Sequence, residues 1–399
     1  MMLIKQKRLW IGIVVVFVVL MVFGAAMMGS VLGAKPKDLP VAIVVLDQEA
    51  DLPTGGTLDV GGMVQEQLLA NMALPVSWEI IRTEAEAREG LAQGDFYGVL
   101  VLPSDLSSGL LSLASPAPQP PTVHIIINEG LSTQASTVVR TVLQQAMRGV
   151  SLQLSTQLLG QIGQQSEQIP VTAAQVLLSP IVVKEEIVHP VGVNNASGNA
   201  PGLLAQIMWI GSLVTGLLLF FLNGKVIADG ARRGTIIVTQ TIIGLGVIAA
   251  LSGFLVWMAS AWYGMELAHA IDTWLFLWLA GTAFFLLQSA LFNWIGLPSI
   301  GILVLLMFFS MPLLNMAPEF LSQATQDWLY SWTPLKFVAA GLREVMYFGG
   351  IDAGSSNVVV LWGIASVFLV VLLASGLKKG RSVGVSAASV GDSAGAGVH

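Results

Sequence analysis

The chain of 399 residues is 54% hydrophobic and 11% charged, with a formal net charge of -6 and no cysteine. So small a charged share, roughly half that of an ordinary soluble domain, excludes a purely water-soluble protein. The acidic balance offers no basic patch for nucleic acid, and the missing cysteines exclude disulfides, thiolate metal sites and thiol nucleophiles.

Lys5, Lys7 and Arg8 close a short basic segment, 1–8, ahead of the charge-free stretch 9–34. A secretory signal also starts this way, and Gly33-Ala34 supplies small residues near a cleavage point. Yet the apolar run from Leu9 to about Leu32 outlasts a signal core of ~7–15 residues. It reads as an uncleaved first span, since ~20 apolar residues cross a bilayer.

Residues 35–199 read as an extracytoplasmic α/β domain. Val41–Leu46 is short, β-branched and closed by Asp47, as in a buried strand. Residues 61–72 place apolar side chains at helical spacing, and Val76–Ile81 alternates like a half-buried strand. Thr83 opens a helix with acids in its first turn, stopped by Gly90 or Gly94. Tyr97–Leu102 and Val123–Asn128 read as further strands. The charge-free run between them cannot span a membrane, because Pro116, Pro118, Pro120 and Pro121 interrupt it. A Gln-rich helix is expected over 132–165 and a returning strand over 181–189, before a link rich in Asn, Gly and Ser. Strands alternating with helices point to layers around one sheet.

Residues 200–377 hold the remaining spans, at about 202–222, 236–260, 273–292, 299–316 and 358–377. Pro201 suits a first helical turn. Between the last two, residues 317–357 mix aromatic and aliphatic residues with a few charges, which suits amphipathic or re-entrant interfacial helices. The tail 378–399 is Ser/Ala/Gly-rich and reads as disordered. The fold class expected is therefore an α-helical integral membrane protein of six spans, with the α/β domain inserted between spans 1 and 2.

Basic residues orient it. With the N-terminus inside, short cytoplasmic segments collect Lys5, Lys7, Arg8, Lys225, Arg232, Arg233, Lys378, Lys379 and Arg381, and only Asp229 and Asp392 of the 24 acids. Both termini are then cytoplasmic, in a multi-pass protein of the cell membrane.

Chemistry is sparse. No phosphate loop, dinucleotide fingerprint or paired metal ligands occur, and His124, His189, His269 and His399 are scattered. No catalytic, cofactor or metal residue is assigned, and no enzyme is expected. Glu266, His269 and Asp272 are close in sequence but read as a solvated loop. The spans contain no ionisable residue, whereas ion-coupled carriers place such groups inside the membrane. Gln206, Gln240 and Gln288 are their notable polar side chains, suited to interhelical hydrogen bonds or to a substrate path. Arg343 and Glu344, in an apolar interfacial segment, are either locally paired or part of an outer gate.

Three segments carry a resemblance. Gly94–Ser107 contains Tyr97, Pro103 and Ser107 in a G-x-x-Y-x-x-x-x-x-P-x-x-F-S pattern, with Leu106 in place of Phe. Arg233-Gly234-Thr235 forms a short turn motif, and Pro334–Gly350 reads P-x-x-x-x-x-x-x-L-R-x-x-x-x-x-G-G. With the span layout, the chain resembles ABC-2-type transporter permeases, within them the phage-infection-protein (Pip/YhgE-like) group. The resemblance implies the membrane subunit of an exporter, working as a homodimer or heterodimer of permeases in the lipid bilayer. A separate ABC ATPase would dock near Lys225, Asp229, Arg232 and Arg233. The competing expectation is a non-transporting surface receptor or secretion-accessory protein whose outer domain binds a partner.

Overall fold

The computed structural model describes residues 36–52, 56–113, 118–165, 176, 178–229, 231–321, 323–327 and 333–378. The expected first span and, beyond Lys378, the tail lie outside them. The described chain forms a sheet domain followed by a helical bundle.

The sheet has the order β4-β1-β5-β6-β7, from β1 (Leu39–Val45), β4 (Val76–Ile81), β5 (Gly98–Leu102), β6 (Thr122–Asn128) and β7 (Val182–Val188). β4, β1 and β5 are parallel, β6 runs antiparallel to β5, and β7 is parallel to β6. β1, between β4 and β5, is covered on both faces, which explains its unbroken apolar sequence. Leu39, Val41 and Ile43 face one core, together with Leu100, Ile125 and Val139. Ala42 and Val44 face the other, with Ala87, Leu91 and Phe96. The small ladder β2 (Ala50–Asp51) with β3 (Thr57–Leu58) is an addition that the sequence pattern does not announce.

Helices connect the strands: α1 (Val60–Ala70), α2 (Glu84–Gln93), α3 (Leu106–Ser112) and α4 (Thr133–Gln165). Thr83 caps α2 by accepting from the Glu86 amide, and Gly94 ends it at φ 84°, a left-handed conformation that costs glycine little. Arg88 on α2 reaches across to β7, its Nη2 2.7 Å from Glu186 Oε2, and also binds Glu84. That fork holds the Glu186 carboxyl below the usual carboxylate range.

The bundle consists of α5 (Ala200–Ala228), α6 (Arg233–Ala261), α7 (Ala270–Ile295), α8 (Ser299–Asn315), α9 (Pro334–Tyr347) and α10 (Ser356–Ala374). Among the described residues four helices, α5, α6, α7 and α10 with its extension to Leu377, are long and apolar enough to cross a membrane, consistent with a membrane location. At 17 residues, α8 is only ~26 Å long, short of a ~30 Å hydrocarbon core. α7 is the hub. Over its most apolar stretch 78% of residues are buried, against 39%, 33% and 28% in the others. Its Phe276, Phe284, Phe285 and Phe292 are wholly enclosed. On α5, by contrast, Leu203, Ile207, Ile210, Val214, Leu218 and Phe221 form an exposed stripe at helical spacing. An apolar stripe of that length is stable against lipid and costly against water.

Candidate functional site

Polar and charged groups gather at the two ends of the bundle and in one internal belt. The sheet domain sits at one end. Tyr97, just after the α2 stop, donates from its hydroxyl to Glu319 Oε2 at 2.9 Å. Ala317 and Phe320 join the sheet-domain core from the other side of the same contact. A second tie is the loop before α5. Val193 N donates to Glu266 Oε2 at 3.0 Å, Glu266 N donates to Val193 O at 3.1 Å, and Asn195 Nδ2 donates to Glu266 O at 2.9 Å. Glu266 is thus engaged by the 193–195 loop, while His269 Nδ1 lies 3.9 Å from Asp272 Oδ2. Among the described residues no group of three His, Asp or Glu forms a metal site.

α9 forms the floor of the junction. Leu335, Val338, Leu342, Val345 and Met346 are buried against the bundle. Gly341 is needed there, because a Cβ would stand 2.2 Å from the Phe276 ring. The helix ends at Tyr347, whose hydroxyl is 3.4 Å from Asn195 Oδ1, and Phe348 stacks on His189 at 4.3 Å between ring centroids. Burial pushes the Tyr347 hydroxyl up and the His189 imidazole down.

The face of α9 left toward the sheet domain carries Lys336, Ala339, Ala340, Arg343 and Glu344, and it borders a cleft of about 290 Å³. Tyr97, Leu131, Leu314, Met316 and Glu319 complete much of the wall. Glu344 Oε1 accepts from Asn357 Nδ2 at 2.7 Å. Arg343 and Glu344, adjacent in sequence, therefore border one cavity, with Glu344 also fastening α9 to the start of α10.

The internal belt is neutral. Gln240 Oε1 on α6 accepts from Asn223 Nδ2 on α5 at 2.6 Å and from Asn293 Nδ2 on α7 at 3.3 Å. Gln288 Nε2 donates to Trp209 O at 3.2 Å. Gln240 and Gln288 are fully buried, while Gln206 is half-buried on α5, one turn before the Trp209 carbonyl that Gln288 holds. Asn223 and Asn293 complete the belt, and sequence reasoning missed them because both lie near helix ends that looked like loop.

At the far end, ~43 Å along α6 from the sheet domain, lie the ends of α5, α7 and α10 and the start of α6. Arg233 Nη2 donates to Asn293 O at 3.3 Å and Lys378 Nζ to Trp294 O at 3.2 Å. Both cations thus neutralise the carbonyl end of α7, where the helix dipole is negative. Gly234 and Gly376 are in close backbone contact. Lys225, Asp229 and Arg232 are exposed, and Arg233 is half-buried. Of the four residues expected to dock a partner, three face outward and Arg233 is engaged inside.

The family described as "Protein of unknown function (DUF3533)" matches residues 9–371. The chain belongs to the DUF3533 family. No curated protein matches it. Among solved structures, this DUF3533 member is similar to a domain of a candidate ABC type-2 transporter from Thermotoga maritima MSB8. Identity there is 19%, over 37% of this chain and 84% of that one, with a TM-score of 0.26.

Proposed function

We propose that this DUF3533 protein is the membrane subunit of an ABC-2-like exporter of the Pip/YhgE-like group, energised by a separate ATPase. The observation that carries the reading is the separation of charge from the bundle interior. Among the described residues of α5 to α8 and α10, ionisable groups occur only at helix ends, while the interior polar groups are amides and hydroxyls. Such a bundle has no proton or ion relay of its own, so work done on a substrate must enter from a partner. The far end suits that entry, with Lys225, Asp229 and Arg232 exposed beside tightly packed helix termini. By the excess of Lys and Arg the far end is cytoplasmic and the sheet domain extracytoplasmic. Two such chains, identical or different, would enclose a path for an amphipathic substrate, with Gln206, Gln240 and Gln288 as polar positions near it. Arg343 and Glu344 would gate its outer mouth.

The test is affinity purification from the native membrane in mild detergent, comparing wild type with Lys225→Glu/Arg232→Glu. Arg233 is left intact because it supports α7. An ATPase retained by wild type and lost from the folded variant is the expected result. If folded wild type retains none, a non-transporting surface protein replaces the exporter.

A further inference from the structure

The sheet-domain ends of three helices carry aromatic side chains that the bundle core does not use. Phe254, Trp257 and Trp262, on α6 and at its end, are each half or more exposed. Their rings touch one another, at centroid distances between 5.6 and 6.1 Å. Tyr263 follows, also exposed. Trp274 and Trp278 stack on α7, and Trp362 is exposed on α10. A helical side chain tilts toward the N-terminus of its helix. α6 starts at the far end, so its rings lean back over the bundle, whereas α7 and α10 start at the sheet-domain end and their indoles lean outward. Rings from both directions thus converge on one level. Trp274 fixes it, because its Nε1 donates to Ala249 O at 3.2 Å and lies 3.2 Å from a Cβ built at Gly253. Trp274 and Trp294 are about 20 residues apart on α7, as are Arg233 and Gly253 on α6. Each pair spans ~30 Å, the thickness of a hydrocarbon core. At the other end of that span Arg233 binds Asn293 O and Lys378 stands over the Trp294 ring at 5.6 Å.

We propose that these rings seat in the phospholipid headgroup layer on the sheet-domain side, with the Gly253–Trp274 level as the edge of the hydrocarbon. Water would leave their apolar faces exposed, and hydrocarbon would leave the indole N–H groups and the Tyr263 hydroxyl without acceptors. The headgroup layer meets both needs. Lipid is also the occupant that continuity favours, since the rings extend an exposed apolar surface formed lower on α6 by Ile242, Ile243 and Val247. The level carries over to α9. A Cβ built at Gly341 would meet the Phe276 ring, just inside Trp274 on α7, and Asn357 Cβ at the start of α10. α9 therefore lies at the hydrocarbon edge, and the cleft on its other side stands at headgroup height. The inference rests on the membrane location but not on export, so a failed search for an ATPase leaves it standing.

The chain has no cysteine, so single-cysteine variants of the full chain in phosphatidylcholine nanodiscs take one spin label each. Collision of the label with oxygen, against collision with a water-soluble nickel chelate, reads its depth. Val247→Cys and Ser260→Cys bracket the level on α6, and Val359→Cys and Ala353→Cys bracket it around the start of α10, all at exposed positions. Ile243→Cys doubles Val247→Cys, so that one misfolded variant leaves the depth readable. Oxygen should dominate at Val247→Cys and Val359→Cys and nickel at Ser260→Cys and Ala353→Cys, with Phe254→Cys between them. A lipid signature at Ser260→Cys or Ala353→Cys, or a water signature at Val359→Cys, moves the edge away from α9 and overturns the proposal. Low access to both reagents at Phe254→Cys would show that protein covers the rings, and overturns it as well.

Discussion

Gly244 tests the packing of the bundle most directly. It lies on α6 with its Cα against the ring of Phe285 on α7, and a Cβ there would stand 1.9 Å from Cζ and 2.3 Å from Cε1. Ordinary carbon contacts need ~3.5–4.0 Å, so Gly244→Ala must displace the ring or the helix by well over an ångström. Phe285 is fully enclosed, so its ring cannot swing out into solvent. Overpacking of this kind costs about 1–3 kcal/mol, against which the helix propensity of alanine returns up to ~1 kcal/mol. The net expectation is a loss of about 1–2 kcal/mol. Gly246, two residues along and exposed, has nothing within 4 Å of a built Cβ. Gly246→Ala should therefore leave stability unchanged or raise it. The assay is thermal unfolding in detergent, followed by the monodisperse fraction on size exclusion. At roughly 2–4 °C per kcal/mol for a large domain, Gly244→Ala should lower the midpoint by several degrees. Phe285→Leu in the same chain should recover part of that loss, because contacting residues are not additive. Equal midpoints for the two alanine variants would refute the α6–α7 register described here.

Other expectations concern the junction and the sheet domain. His189 is held below its ordinary pKa by burial, so it is neutral when folded, and the unfolded chain binds the extra proton. The contribution of its stacked contact is present above the unfolded value of ~6.5 and is lost as pH falls through the folded one. Hydrogen exchange at residues 345–348 should accelerate at mildly acidic pH in wild type and lose that dependence in His189→Gln. Tyr97→Phe removes the bond to Glu319, worth up to ~1.5–3 kcal/mol for a charged acceptor and less where water reaches it. Limited proteolysis should then cut the 316–321 segment faster, and an unchanged rate would deny the bond any weight. Arg88→Lys keeps the charge but not the fork to Glu186. With both side chains more than a third exposed, the loss should stay within ~1 kcal/mol in a denaturation midpoint.

The sheet domain was legible because its strands are short, apolar and closed by turn residues. Val76–Ile81 was found to the residue, and Thr83 is the cap of α2. The helices of the bundle were legible from absence of charge, yet α5, α6 and α7 run one to six residues beyond the apolar cores at each end. The reason is physical: Asn223, Lys225 and Arg233 are as helical as their neighbours when amide partners or a helix dipole receive them. What no local pattern supplied was pairing. Composition marked 317–357 as amphipathic or re-entrant, but not that the apolar side of α9 within it would meet Phe276 and its polar side would wall a cleft under Tyr97. The β2–β3 ladder escaped notice because two-residue strands carry no period.

The three segments that carry the resemblance acquire a common sense from that pairing. Gly94–Ser107 brings Gly94 and Tyr97 to the cleft, and Pro334–Gly350 brings Lys336, Arg343 and Phe348 to the same cleft from far along the chain. Arg233-Gly234-Thr235 lies at the opposite end, locking α6 to α7 through Asn293 and to the α10 terminus at Gly376. Two segments thus build one mechanical joint and the third builds the other, with α7 in contact with both through Phe276 and Asn293. If α7 is rigid, as dense packing favours, a shift imposed at the Arg233 end would reach the cleft as a displacement of the whole helix. Gly341 against Phe276 is the contact where that displacement must appear. If α7 moves as a unit, Gly341→Ala should change hydrogen exchange around the cleft while leaving exchange at the Arg233 end unaltered. Equal change at both ends would mean that the bundle had merely been destabilised.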